Sequence, residues 1–246
     1  MLLLRSLAFN LCFYLNTIIH LLVYLPVLLL PRRTVWTVVR TWSAINHWLL
    51  RVLCGIDFEI RGIERIPSGP LLVASKHQSA WETFTLPTLF DDPVFILKRE
   101  LMWLPFFGWY LAKSKTIPVQ RGARKVALAA VTERAKIEIS RGRQILIFPE
   151  GTRRSPEAEP AYKYGVAHLY SKLGVPCLPI ALNSGLYWPR RTWRLRPGTI
   201  RVEILDPIPP GLDPQAFLAR LQHEIETASA RLLAEGRAKR ARRNSA

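Results

Sequence analysis

His77 and Glu82 stand five positions apart in Ala74-Ser75-Lys76-His77-Gln78-Ser79-Ala80-Trp81-Glu82-Thr83, directly after the apolar run Leu71 to Ala74. An imidazole beside a carboxylate is suited to general base catalysis. The acid fixes one tautomer, and the other ring nitrogen takes a proton. No serine or cysteine in the stretch is placed as a nucleophile, so such a base would act directly on the hydroxyl of an acceptor. On one continuous helix an offset of five residues separates two side chains by about 140°. They face each other only if His77 precedes the helix. Ser79-Ala80-Trp81-Glu82 fits the S-x-x-E capping box, with Ser79 as N-cap and Glu82 at the third helical position, which leaves His77 in the loop. Glu82 then has two readings: a cap for an amide at the helix start, or the carboxylate that orients His77.

A second polar cluster follows another apolar run in Gln144-Ile145-Leu146-Ile147-Phe148-Pro149-Glu150-Gly151-Thr152-Arg153-Arg154-Ser155. A buried strand would deliver Glu150 to a turn in which Gly151 allows close backbone approach, while Thr152 and Arg153 offer hydroxyl and guanidinium donors. Such a turn can cradle a phosphate.

Both clusters need a sheet to carry them. Phe58 to Arg61, Leu71 to Ala74, Val94 to Leu97, Gln144 to Phe148, Cys177 to Leu182 and Ile200 to Leu205 read as strands. Helices are expected between them, at Thr83 to Phe90, at Arg124 to Ser140 stopping at Gly142, and at Lys163 to Leu173 stopping at Gly174. A last helix opens with Asp213 as cap and Pro214 at its first position, and carries Leu218, Leu221, Ile225, Ala228 and Leu232 on one face. The alternation predicts an α/β fold, a mixed and mostly buried sheet flanked by helices, over residues 54–236.

Residues 1–53 have another character. The chain is apolar from Met1 to Leu30, and Leu11 to Leu30 as a helix would be about 30 Å long, enough to cross a hydrocarbon core, although Asn16, His20 and Pro26 interrupt it. The run ends in Pro31-Arg32-Arg33 rather than at a small-residue cleavage site, so a cleaved signal peptide is not expected. Next, Val35, Val38, Trp42, Ile45, Leu49 and Val52 recur at spacings of three and four, with Arg33, Thr37, Arg40, Ala44, His47 and Arg51 opposite them. The pattern suits a helix lying in a membrane interface, and the two together predict an anchor that dips into the cytoplasmic leaflet. A true span is the alternative. Residues 237–246 hold five basic residues between Arg237 and Arg243 and are expected to form a flexible, lipid-attracted tail.

The 246 residues carry 35 lysines and arginines against 18 acids, a formal charge of +17. An anionic partner follows: nucleic acid, an acidic membrane surface, or a phosphorylated or acidic-carrier substrate. Cys12, Cys54 and Cys177 are odd in number, far apart and set among apolar neighbours. They read as buried thiols, with neither a disulfide framework nor a zinc site, which fits a reducing, cytoplasm-facing location.

His77 with an acid five residues on, followed about seventy residues later by Phe148-Pro149-Glu150-Gly151-Thr152-Arg153 in a basic chain with an apolar N-terminus, resembles the glycerolipid acyltransferase family. Lys98-Arg99-Glu100-Leu101 through Ile117-Pro118-Val119-Gln120-Arg121 resembles the family's second block, and Val175 to Asn183 its fourth, a strand carrying Pro179. The likeness runs from about Phe58 to Asn183. It implies acyl transfer from acyl-CoA or acyl carrier protein to the free sn-2 hydroxyl of 1-acylglycerol 3-phosphate (lysophosphatidic acid), giving phosphatidic acid for phospholipid biosynthesis. His77 would be the base, Glu82 its orienting partner, and Arg153 with Glu150, Gly151, Thr152 and Arg121 the binding site for the acceptor's phosphate. No cofactor or metal is implied, only the thioester as co-substrate, at the cytoplasmic face of the inner membrane. The role of Glu150 comes from motif position alone, and Pro179 would shape a strand end near the acyl pocket.

The sequence departs from the family pattern in two places. The family usually has Asp where this chain has Glu82, and its second block usually reads G-x-x-F-[IV]-x-R, whereas Lys115 and Pro118 stand at the Gly and Phe positions. Two other functions fit parts of the sequence. Late acyltransferases of lipid A assembly share the H-x4-E spacing but are not expected to carry F-P-E-G-T-R. A non-enzymatic cationic protein could bind a membrane or nucleic acid through Arg190, Arg191, Arg194 and Arg196 with Trp188 and Trp193. No nucleic-acid motif accompanies that stretch, and nucleic acid is not an expected partner.

Overall fold

A computed structural model describes residues 1–119 and 124–244. In chain order they form α1 (Leu2–Val23), α2 (Thr34–Leu49), β1 (Ile56–Arg61), β2 (Leu71–Ser75), α3 (Trp81–Thr85), β3 (Pro93–Lys98), α4 (Phe107–Lys113), β4 (Ile117–Val119), α5 (Arg124–Ser140), β5 (Gln144–Ile147), α6 (Gly165–Leu173), β6 (Cys177–Leu182), β7 (Gly198–Ile204) and α7 (Pro214–Asn244). Among the described residues the strands join in one sheet of order β1-β7-β6-β2-β5-β3-β4. β6, β2, β5, β3 and β4 run parallel, while β7 pairs antiparallel with β6 and parallel with β1. The mixed, buried sheet expected from the alternating pattern is the one observed.

Strand alternation divides the core into two layers. Leu71 and Val73 of β2 face a cluster that includes Phe9, Leu50, Trp81 and Phe84. Leu72 and Ala74 face the opposite cluster, filled by Val131 and Ala135 of α5, Val166 and Leu169 of α6, and Phe217, Leu221 and Ile225 of α7. The N-terminal hairpin, expected from the sequence as a separate anchor, is therefore one layer of the α/β core. Phe9 is fully buried and meets Trp188 edge-on at 5.2 Å, and Phe13 packs against Trp42, Phe84 and Trp188. α1 and α2 run antiparallel, joined by Trp42 Nε1 to Thr17 Oγ1 at 3.1 Å and Asn16 Nδ2 to Asn46 Oδ1 at 3.2 Å.

The outer side of the hairpin is apolar and uncovered. Leu3, Leu4, Leu7, Leu11, Leu15, Ile18, Ile19 and Leu22 of α1 are exposed, as are Ile45 and Trp48 of α2 and Val52 just beyond it. By length and composition α1 could cross a membrane. It begins nine residues earlier than the Leu11 to Leu30 helix read from the sequence and stops at Val23, because Pro26 lacks the amide to continue it. On α2 the sides are redistributed: Val35, Val38 and Trp42 face the core, Ile45 points outward, and His47 turns inward against Phe58, Trp81 and Phe84.

Several boundaries differ from expectation for local reasons. The helix expected at Thr83 to Phe90 is α3 followed by a 3-10 turn at Leu86–Leu89, since Pro87 has no amide with which to continue the α-helical hydrogen bonds. The basic segment from Arg237 continues α7 to Asn244 instead of forming a flexible end. Pro179, expected at a strand end, is the third residue of the interior strand β6, opposite Ala74 and just before pairing with β7 begins at Ile180. Lys115, at the family's glycine position, has φ of 62°, a left-handed conformation costing a non-glycine residue about 1 kcal/mol. Pro118 lies in the edge strand β4, where a missing amide is tolerated.

His47 links the hairpin to α3, its Nε2 lying 2.9 Å from Thr85 Oγ1, a hydroxyl that donates to Trp81 O. Nε2 therefore carries the proton of the neutral ring. Burial pushes the imidazole down to about 4, with Asp57 pulling weakly upward and Arg51 downward. Between that value and the ordinary one near 6.5, the unfolded chain binds a proton that the folded chain does not. The contribution is complete above pH about 6.5 and is lost as pH falls to about 4, amounting to about 3 kcal/mol. Detergent-solubilised protein should show a falling denaturation midpoint across that window, and His47→Gln should flatten the fall.

Candidate active site

The parallel strands β2, β5 and β3 end on one edge of the sheet, so the segments after Ser75, Ile147 and Lys98 converge there. β2 leads into α3 on the face that holds Trp81 and Phe84, whereas β5 leads into α6 on the other. Neighbouring strands whose connections leave in opposite directions open a crevice at their carboxyl ends, the usual ligand position in α/β sheets. His77 and Glu150 both lie at that crevice.

His77 Nδ1 is 3.0 Å from Glu82 Oε1, the same oxygen that accepts the backbone amides of Gln78 and Ser79, each at 2.6 Å. Amides can only donate. Oε1 is thus an acceptor, Nδ1 carries the hydrogen, and Nε2 is left with its lone pair, bonded to no protein group among the described residues. Glu82 is fully buried, and Ser184 Oγ donates to its Oε2 at 2.8 Å. The Phe148 ring stacks on the imidazole at 4.0 Å and 14°, which leaves the ring little freedom to tilt. The two readings of Glu82 coincide, because one oxygen both holds the amides before the helix and orients His77. The cap is shifted from the expected frame: Ala80 is the N-cap, and Ser79 Oγ accepts from the Trp81 amide at 3.2 Å.

Glu150 is 1% exposed. Its Oε2 accepts the His77 amide at 2.9 Å, and its Oε1 accepts Lys76 Nζ, also at 2.9 Å. Burial pushes this carboxyl up, while Lys76 and the His77 amide pull it back. Both oxygens point into the protein, toward the loop that carries the imidazole. The turn beyond is anchored to the same loop, with the Arg154 amide donating to His77 O at 2.8 Å. Gly151 supplies the left-handed corner at φ 67°. Thr152 is half-buried and Arg153 exposed, and neither side chain has a protein hydrogen-bond partner among the described residues. Arg121 lies outside the described residues. The turn is thus divided between a buried acid tied to His77 and an outward guanidinium. Among the described residues no group of His, Cys, Asp or Glu side chains is placed to hold a metal ion.

Three contributors were not apparent from the sequence. Lys76, next to the imidazole and almost fully buried, bonds Glu226 Oε1 of α7 at 2.6 Å as well as Glu150. Ser184 reaches Glu82 from 102 positions away. Gln78 Oε1 accepts the Gly185 amide at 3.0 Å, and a Cβ on Gly185 would come within 2.9 Å of Gln78 Cβ and 2.8 Å of Pro156 Cγ, so only glycine lets that turn close on the loop. A lysine two positions after the apolar run Leu71 to Ala74 is the one available signal for Lys76. The other two contacts join distant segments. The arginine and tryptophan stretch beyond β6 is also resolved: Trp188 is buried against Phe9 and Phe13, whereas Trp193 is exposed beside Arg191 and Arg194.

Comparison with known proteins places this geometry in a family. Residues 57–183 match the acyltransferase family model. Over 167 residues the chain is 44% identical to the 1-acyl-sn-glycerol-3-phosphate acyltransferase of Pseudomonas aeruginosa, a match spanning 68% of this chain and 65%, just under two thirds, of that protein. The alpha form of the enzyme from Homo sapiens is 29% identical over 237 residues, covering 93% of this chain and 83% of its own length. The crystal structure of the 1-acyl-sn-glycerophosphate (LPA) acyltransferase PlsC from Thermotoga maritima has the same fold, with a TM-score of 0.76 at 22% identity over 94% of this chain and 99% of that one. The matched segment runs from β1 to the end of β6 and contains both His77 with Glu82 and the turn from Glu150 to Arg153, so the chain belongs to the acyltransferase family.

Proposed function

We propose that the protein transfers an acyl group from an acyl thioester, carried by coenzyme A or acyl carrier protein, to the sn-2 hydroxyl of 1-acylglycerol 3-phosphate, making phosphatidic acid. The observation that carries this reading is the imidazole fixed at Nδ1 by a buried carboxylate, beside a turn that presents an unpaired guanidinium. The names of the related proteins supply the substrate class.

The chemistry balances with the groups present. Nε2 of His77 takes the proton of the acceptor hydroxyl as that oxygen bonds the thioester carbonyl carbon. Glu82 stabilises the resulting imidazolium through Nδ1. The tetrahedral intermediate then expels the thiolate, breaking the C–S bond, and the imidazolium returns the proton to sulfur. Arg153, with the Thr152 hydroxyl, holds the acceptor's phosphate, where a planar fork supplies direction as well as charge. Glu150 serves the site by holding the His77 amide rather than by touching substrate. The uncovered apolar side of α1 lies in the cytoplasmic leaflet of the inner membrane and brings the acceptor's hydroxyl to the sheet edge. The Leu195 amide donates to Ser6 Oγ at 3.0 Å, which sets the basic 190–196 loop beside α1, where lipid headgroups would lie.

Purified protein supplied with lysophosphatidic acid, an acyl thioester and liposomes should form phosphatidic acid. His77→Ala should lower kcat by about 10³-fold while leaving liposome binding intact, and retained turnover would remove the base assignment. Glu82→Gln keeps an acceptor for the two loop amides but removes the charge opposite the imidazolium; kcat should fall by about 10²- to 10⁴-fold with the fold preserved, as checked by circular dichroism. Arg153→Ala should raise KM for the phosphorylated acceptor about ten- to a hundredfold and leave that for the donor nearly unchanged. Equal changes in both constants would exclude the phosphate assignment.

A further inference from the structure

Lys76 has no part in the mechanism above, yet it is among the most deeply buried charged side chains in the protein, 1% exposed. Its Nζ lies between Glu150 Oε1 at 2.9 Å and Glu226 Oε1 at 2.6 Å. Glu226, on α7, also accepts the Tyr162 hydroxyl at 3.0 Å. The other oxygen of Glu150 holds the His77 amide at 2.9 Å. A continuous chain of charge-assisted bonds therefore runs from α7 through Lys76 and Glu150 to the backbone of the proposed base. A buried ion cluster of this kind adds little stability over apolar side chains of similar volume. Its connection to His77 identifies what it does add.

We infer that Lys76 is a positioning residue for the proposed acyl transfer: it keeps Glu150 anionic, so that Glu150 fixes the His77 backbone and with it the direction of Nε2. The inference rests on the acyl-transfer reading and deepens it. The groups facing Glu150 are Lys76 and the His77 amide from the exit of β2, Glu226 from α7, and Tyr162 from the segment before α6. Of these, Lys76 alone is a cation. Burial and Glu226 both favour the neutral carboxyl, and Lys76 is the largest influence against them. Without the ammonium, Glu150 would take up a proton, and its hydroxyl would compete with the His77 amide as a second donor. Lys76 cannot itself act as a nucleophile, since it is enclosed and bonded to two carboxylates.

The test compares kcat, acceptor KM and the pH profile of detergent-solubilised full-length wild type, Lys76→Met and the double variant Lys76→Met/Glu150→Gln, each normalised to its folded fraction. Lys76→Met should lose about 10- to 100-fold in kcat with acceptor KM within about twofold, the signature of a misdirected rather than an absent base. It should also gain an ionisation on the acid side of its profile, from Glu150. In the double variant Gln stands permanently in the place of the protonated acid, so turnover should stay low at every pH and the added ionisation should vanish. Wild-type kcat and pH profile in Lys76→Met would overturn the inference, as would an added ionisation that persists in the double variant. Should Lys76→Met fail to fold, Lys76→Gln decides, since it removes the same ammonium but leaves a donor for the two carboxylates. There too kcat should fall at unchanged acceptor KM with the added ionisation, and wild-type turnover would overturn the proposal. An inactive wild type or an active His77→Ala would instead remove the acyl-transfer reading itself.

Discussion

One carboxylate oxygen organises the site. Glu82 Oε1 collects the amides of Gln78 and Ser79 and Nδ1 of His77, all within 3.0 Å, in a position closed to water. A carboxylate can be buried only when its lone pairs are taken up by donors, and the loop from His77 to Ser79 must therefore wrap around it. That demand fixes the loop, the start of α3 and the tautomer of the imidazole together. It also accounts for Ser184, whose hydroxyl satisfies the remaining oxygen from the turn after β6. With Asp in the same place, the carboxylate would be one methylene shorter and the three donors would have to close in around it. Glu82 reaches all three donors where they stand.

The sheet decides where this loop meets the second cluster. β2 and β5 are neighbours in register from Leu71 opposite Gln144 to Ala74 opposite Ile147, and both emerge at the same edge. Their connections depart to opposite faces, leaving the crevice open for ligand between them. Because the sheet is buried on both faces, each needs a full apolar layer, and the second is supplied by the hairpin of α1 and α2 rather than by further crossover helices. An element that covers a core with one side and exposes leucines and isoleucines along the other joins the edge that carries His77 to an apolar surface. Asp92 reinforces the joint, binding Arg32 from the hairpin and Arg143 from the start of β5, with Trp36 Nε1 at 3.1 Å.

What the sequence disclosed was local. Apolar runs such as Leu71 to Ala74 and Cys177 to Leu182 announce strands, since five or six uninterrupted buried residues suit a strand covered on both faces. Asp213 and Pro214 marked the start of α7, and the Asp213 carboxylate does accept the amides of Gln215 and Ala216. The facing of His77 and Glu82 was also legible, because a capping signal and a helical angle suffice to place them. α4 and the short edge strand β4 were missed, as Lys115 and Pro118 mask the usual signs of a turn and a strand. The outer and inner sides of α2 are not separable in the sequence, because tryptophans occur on both, Trp36 inside and Trp48 outside, and only the neighbours decide which are covered. Lys76 with Glu226 and Glu82 with Ser184 join residues 150 and 102 positions apart, a kind of pairing that no periodicity encodes.

The distribution of charge follows from the same constraint. Acids at the site are buried and consumed by protein donors: Glu82 by amides, imidazole and hydroxyl, Glu150 by Lys76 and an amide. Cations on the outer rim are not consumed in this way, as Arg153 shows. Positive charge therefore reaches solvent where the crevice opens, although the side chains bonded beneath it are anionic. A base needs an anion behind it to become a cation, and a phosphorylated acceptor needs a cation in front of it. The fold separates the two demands by depth, placing carboxylates beneath the imidazole and guanidinium above. Had Glu150 pointed outward it would have set a negative charge beside Arg153; instead it is buried under Lys76 and bonded to the amide of His77.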